Sequence, residues 1–181
     1  MIDIEEIIEY VKNKRVIIVG NNNTVVQENN GDFIDSFDVV VRLNHAVPQK
    51  NLGKRTDIWA FFYKSIDCQY AEYKKFNPKY ILRGCDLVDS RLKDKFSIVK
   101  LPSDKLKKHF EPNLPSTGML VTSFFSFYTK TQIYLIGFDF FKTKTFYNSS
   151  PVAHRWHNGD KEKLWINTMI EENKNIEIVE R

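Results

Sequence analysis

The chain has 181 residues, 42% of them hydrophobic and 28% charged, and its 27 basic and 23 acidic residues leave a formal charge of +4. That composition fits one globular domain with a sizeable core. It excludes a disulfide framework, because Cys68 and Cys85 are the two cysteines and form no Cys-x-x-Cys pair. The basic excess is mild and spread along the chain, which suits a phosphate-bearing ligand or an anionic surface and does not mark a nucleic-acid-binding protein. The longest apolar run, "MLVTSFFSFY", is too short to cross a membrane. With no signal-peptide pattern, the expected location is the cytoplasm, with peripheral attachment at the inner membrane face included. The whole span 1–181 reads as a single domain, and its end at Arg181 is compatible with truncation of a longer protein.

In chain order, "IEEIIEYVKN" places Ile4, Ile7, Ile8 and Val11 on one helical face. "RVIIVG" predicts a buried strand that stops at Gly20. "FDVVVRLN", "DIWAFF", "YILRG" and "FSIVKL" predict four more strands, with helices over "KSIDCQYAEYKKF" and "SDKLKKHF". "PSTGMLVTSFFSFYTK" reads as a helix with Ser116 near its cap. The strand "QIYLIGFDF", the helix "KEKLWINTMIEEN" and the strand "IEIVE" complete the series. Apolar strands alternating with helices predict an α/β fold, a mainly parallel sheet with helices on both faces. Ligands in such sheets bind at the carboxyl ends of the strands, which points to "GNNN", "RLN" and "GFDFF".

"VIIVGNNNT" lacks the Gly-x-Gly-x-x-Gly fingerprint and a Walker loop, so a dinucleotide enzyme is disfavoured. The side chains of Asn21, Asn22 and Asn23 can contact a ribose, base or phosphate, or the three can simply form a turn. In "NLPSTGML", Ser116 and Thr117 bring hydroxyls to a helix start, and Gly118 permits close approach to the backbone. This is either an anion site or ordinary capping. Asp139 in "GFDFF" lacks the second carboxylate of an Asp-x-Asp metal site, so a metal role is weak. His154 and His157 in "HRWHNGDKE" read as a metal pair, a catalytic base with a helper, or surface imidazoles. "NGD" predicts a turn before a helix starting near Lys161, and no cysteine or second carboxylate completes a ligand set.

Taken together, "RVIIVGNNNTVVQENNGDFIDSFDVVVRLNHAVPQKNLGKRTDIWAFF" resembles the large sialylmotif of the sialyltransferases in glycosyltransferase family 29. "NLPSTGMLVTSFFSFYTKTQIYLIGFDFF" resembles their small sialylmotif, and "HNGDKE" their short His-x-x-x-x-Glu pattern. The "STG" helix start and the late histidine are also similar to the bacterial family 42 sialyltransferases. The resemblance implies a single Rossmann-like domain of GT-A-like type. It also implies inverting, metal-independent transfer of sialic acid, or a related nonulosonic or ulosonic acid, from a CMP-activated donor to a glycan hydroxyl.

No cofactor is implied beyond the CMP-sugar substrate. The implied acceptor is a glycan, lipid-linked glycans at a membrane included, and nucleic acid is not an expected partner. Carried over by residue, Asn21 and Asn44 bind the donor together with Ser116, Thr117 and Gly118, and Asn22 and Tyr147 are expected to join them there. His157 is the general base and Glu162 the acidic end of the short motif. Arg42, Asp35 and Asp57 are expected to scaffold strand ends as a buried Arg–Asp network.

Val16 and Lys130 stand where animal members carry a disulfide. The family's third motif has no clear counterpart, which leaves His154 and Tyr147 as candidates for stabilising the leaving phosphate. Two other classes compete: a catalytically inactive nucleotide-binding module of the same fold, and a metal-dependent hydrolase built on His154 and His157.

Overall fold

The computed structural model describes residues 4–62, 73–84, 90–93, 97–101, 104–147, 156–173 and 175–181. Helix α1 (Ile4–Val11) leads into β1 (Arg15–Val19), and a 3-10 turn (Asn23–Val26) and the short α2 (Gly31–Asp35) lead to β2 (Val39–Leu43). A second 3-10 turn (Lys50–Leu52) precedes β3 (Ile58–Phe61), β4 (Tyr80–Arg83), α3 (Ser90–Lys93), β5 (Ser97–Lys100) and α4 (Asp104–Phe110). Then come α5 (Thr117–Tyr128), β6 (Gln132–Ile136), α6 (Gly159–Asn173) and β7 (Ile176–Val179).

The strands form one sheet in the order β5-β4-β3-β2-β1-β6-β7, and every pairing is parallel. Such a sheet is covered on both faces, and the inner strands show it. In β1, Val16 and Ile18 pack on one face with Ile7 and Val11 of α1, Val121 and Phe125 of α5, and Ile166 of α6. Ile17 and Val19 pack on the other face with Val25, Ile34 and Leu52. Alternate residues therefore serve opposite layers, both of them dry. Helix α5 is buried from Thr117 through Ser126, which explains a sequence apolar nearly all round.

Each strand expected from the sequence is present, although β6 stops at Ile136 rather than running on through "GFDF", where Gly137 turns the backbone to positive φ. The helix expected from Lys161 starts earlier, at Gly159, because the Asn158 carboxamide accepts the Lys161 N–H at 3.0 Å and acts as its cap. Helices α2 and α3 are single turns too short for periodicity to reveal. Of "KSIDCQYAEYKKF", residues 73–76 are helical and residues 64–72 lie outside the described residues.

The expected Arg–Asp scaffold exists with a different arginine at its centre. Arg55 pairs with Asp57 at 2.9 Å and donates to the carbonyls of Asp35 and Phe37. Asp35 accepts the N–H groups of Lys54 and Arg55, and Asp57 that of Val40. Arg42, fully buried, donates instead to the carbonyls of Arg55 and Leu52 at 2.8 and 2.6 Å. Burial pushes its pKa down to about 10, opposed by the nearby charges of Asp35 and Asp57.

The order of the strands reverses at β1, which has β2 on one edge and β6 on the other. At that point the strand ends nearly touch. Gly20 N–H donates to the Ile136 carbonyl at 2.7 Å, and a Cβ on Gly20 would collide with the Gly137 carbonyl. Gly137 itself has φ +74°, a conformation that favours glycine. Gly20→Ala is expected to destabilise the protein by about 1–3 kcal/mol through overpacking. A lower urea midpoint with unchanged slope would show it.

Candidate active site

A cleft opens at the carboxyl ends of β1, β2 and β6, where an open α/β sheet places its ligand. Gly20, Asn21 and Asn22 follow β1, and Leu43 and Asn44 end β2. Ser116, Thr117 and Gly118 start α5, residues 137–141 follow β6, and Tyr147, His157 and Glu162 close the ring. Every sequence-predicted site residue therefore reaches this one cleft, except that His154 lies outside the described residues.

The three asparagines divide between the two readings left open for them. The Asn22 carboxamide oxygen accepts the Val25 N–H and the Thr24 hydroxyl, both at 3.1 Å, so Asn22 builds the 3-10 turn. Asn21 turns to the cleft and donates to the Tyr147 hydroxyl at 3.1 Å. Its Oδ1 is buried without a hydrogen-bond partner among the described residues, a polar atom that calls for a donor. Asn23 donates its backbone N–H to the Thr143 hydroxyl at 3.4 Å.

Asn44 has φ +49°, tolerated by asparagine better than by most residues. The strained position is held from three sides. Its N–H donates to the Ala60 carbonyl, its carbonyl accepts the Trp59 indole N–H, and its Oδ1 accepts the Thr117 hydroxyl at 3.2 Å. Asn44 itself lines the cleft.

At the start of α5 the hydroxyl of Ser116 is committed within the protein. It donates to Glu162 at 2.7 Å and accepts the Met119 N–H at 3.2 Å as the helix cap. The free N–H groups that follow it, rather than the Ser116 hydroxyl, are what the helix end offers an anion. Gly118 is also needed for an inner reason: a Cβ there would stand 2.7 Å from the Phe138 ring, which fills the space beneath the helix start.

His157 Nδ1 lies 2.7 Å from the Leu114 carbonyl oxygen. A carbonyl can only accept, so Nδ1 carries a hydrogen, and in the neutral ring Nε2 is the nitrogen with the lone pair. Asp139, weak as a metal ligand on sequence grounds, turns out to tie a turn. Its carboxylate accepts the N–H groups of Phe141 and Thr143 and the Thr143 hydroxyl. Among the described residues no three His, Cys, Asp or Glu side chains form a metal-ligand group. The sequence reading passed over Phe138, Phe141 and His45. The last of these sits beside Tyr147 with ring centroids 5.3 Å apart, and its position next to Asn44 was the available signal.

Glu162 is 4% exposed, and its two oxygens accept the N–H and the hydroxyl of Ser116, each at 2.7 Å. Burial raises its pKa to about 7 even though both Ser116 hydrogen bonds favour the charged form. This pair joins the start of α5 to the first turn of α6 and so brings the helix N-terminus and His157 into one cleft.

The same fold occurs in known proteins. The model of glycosyltransferase family 29 (sialyltransferase) matches residues 8–94. No curated protein sequence matches. Among solved structures, a mammalian sialyltransferase superposes with TM-score 0.61 at 17% identity, covering 92% of this chain and 68% of its own. The sialyltransferase CstII from Campylobacter jejuni, in complex with cytidine-5'-monophosphate, gives 0.66 at 16% identity, covering 92% and 80%. The monofunctional alpha-2,3-sialyltransferase Cst-I from Campylobacter jejuni gives 0.66 at 15%, covering 91% and 74%. The family match takes in the stretch that resembles the large motif, and the structures share the fold. The chain is sialyltransferase-like, in sequence over residues 8–94 and in fold over nearly its full length. No helix among the described residues is long and apolar enough to cross a membrane.

Glu162 gives the site a pH signature. The folded chain holds this proton up to about pH 7, whereas the free carboxyl releases it near 4.5. Folding therefore takes up a proton between those values, and this group's contribution makes stability fall as pH rises from about 4.5 to 7 and level off above. Glu162→Gln is expected to flatten that dependence, measured by urea unfolding across the same range.

Proposed function

We propose, taking the sialyltransferase likeness as premise, that the chain is an inverting, metal-independent transferase. It would move sialic acid, or a related nonulosonic or ulosonic acid, from a CMP-activated donor to a glycan hydroxyl. The observation that carries this reading is that Asn21, Asn44, the α5 N-terminus and His157 all line one cleft at the sheet's reversal point.

In this reading the Asn44 amide, the Asn21 carboxamide and the N–H groups opening α5 hold the CMP portion. The acceptor hydroxyl attacks the anomeric carbon while Nε2 of His157 takes its proton, leaving an imidazolium. The new carbon–oxygen bond forms as the bond to the phosphate breaks, and CMP departs with the electron pair. Its charge is met by the helix N-terminus and by the Tyr147 hydroxyl, with His154 a second candidate. One leaving phosphate places less charge on the site than a diphosphate, so no cation enters the scheme. Cytoplasmic work on a glycan acceptor, including a lipid-linked one presented at the inner membrane face, fits the mild basic charge.

The test is CMP release from a panel of CMP-activated acids, with and without chelator. Release from at least one donor, unaffected by chelator, is expected. No release and no CMP binding would remove the reading. His157→Ala is expected to lower turnover by roughly 10²–10⁴-fold with CMP affinity nearly unchanged. Turnover that survives this substitution would point to a different base.

A further inference from the structure

After β6 the backbone does something costly. Phe140 and Phe141 both have positive φ, +56° and +65°, in succession. Bulky aromatic residues rarely adopt this left-handed conformation, and such outliers persist only where their surroundings enforce them. Asp139 is the enforcing group. Its Oδ1 accepts the Phe141 N–H at 3.1 Å, and its Oδ2 accepts the Thr143 N–H at 2.7 Å together with the Thr143 hydroxyl. The Asp139 carbonyl also accepts the Lys142 N–H at 3.3 Å. The turn is closed from outside by α6, whose first residue, Gly159, lies so near that a Cβ there would collide with the Phe140 carbonyl.

The product of this distortion is the placement of one ring. Phe141 lies on His157 with centroids 5.3 Å apart and planes 10° from parallel, an offset stack. The Leu114 carbonyl fixes the same imidazole by its edge at Nδ1. One hydrogen bond leaves a ring free to rock about that contact; a flat neighbour on its face removes the freedom.

We propose that Asp139 and Phe141 are positioning residues for His157: the Asp139 turn holds the Phe141 ring against the imidazole, which keeps its proton on Nδ1 and its Nε2 lone pair available to the cleft. The inference rests on the base assignment above for its effect on turnover, but not for its effect on the imidazole itself. Neither residue need touch the substrate.

Three variants test it: Phe141→Leu, which keeps apolar bulk and loses the flat face, Phe141→Tyr, which keeps the face, and Asp139→Asn. Two readouts are taken. One is CMP release from CMP-N-acetylneuraminic acid with lactose as probe acceptor. The other is the His157 tautomer ratio from nitrogen-15 NMR of the labelled protein.

F141L is expected to lower kcat roughly tenfold, the scale of a small misplacement of a reacting group. KM for the donor, CMP affinity and melting temperature should stay near wild type, while the imidazole moves from one tautomer toward a mixture. F141Y should restore both readouts, and D139N should follow F141L. An unchanged tautomer ratio in F141L overturns the proposal. So does unchanged turnover, or a loss of CMP binding that parallels the loss of kcat. If D139N fails to fold, F141L and F141Y decide the proposal by themselves. Turnover retained in His157→Ala removes the base assignment, and the tautomer ratio in F141L still decides the positioning claim.

Discussion

The double pairing of β1, with β2 on one edge and β6 on the other, is the constraint from which the rest of the structure follows. In a parallel sheet each crossover must return the chain to the same end before the next strand begins. One run of crossovers carries the chain out to β5, and the next strand must come back to the far side of β1. The loops after β1 and β6 then leave the sheet in different directions, and the space between them is the cleft. Gly20 and Gly137 are where this geometry bears on sequence, because two backbones approach there with no room for a side chain.

Onto that opening the helices bring the polar groups. The α5 N-terminus is aimed into the cleft by the cap at Ser116 and held there by Glu162 from α6. Each element fixes another: Thr117 holds the Asn44 side chain, Asn21 meets Tyr147, and Leu114 orients His157. A buried carboxyl with its pKa near 7 at the junction of two helices is an unusual structural link, since burial and its two hydrogen bonds pull its proton in opposite senses. Its contribution to stability is therefore tied to pH in a way that the mixed-charge surface is not.

Much of this was legible in the residues themselves. The inner strands announced themselves as short apolar runs, because a parallel strand buried on both faces has no polar side to blur the pattern. Ser116 marked the start of α5 since capping is local chemistry. What the residues left open was settled by the hydrogen-bond partners of particular side chains. "NGD" is turn-like on its own, and the Asn158 carboxamide within it caps the helix that begins at Gly159. Asp139, already weak as a metal ligand for want of a second carboxylate, has its partners in its own turn. Arg42 suggested an ion pair, yet its guanidinium meets carbonyls while Arg55 takes the carboxylate. Glu162 was picked out through its motif, whereas its partner Ser116, 46 residues earlier, was not visible from either stretch.

The same strand order has a consequence during synthesis. β1 emerges early and gains β2 soon afterwards, but its other edge belongs to β6. The hydrogen bond from Thr131, just before β6, to Val11 at the end of α1 spans 120 residues. Until β6 is made, a nascent chain carries one edge of the apolar strand β1 unpaired, a template for pairing with other chains. The interior position of β1 in the finished sheet is therefore a liability on the ribosome, and the interval until β6 arrives is the stretch of synthesis in which this protein most needs shielding.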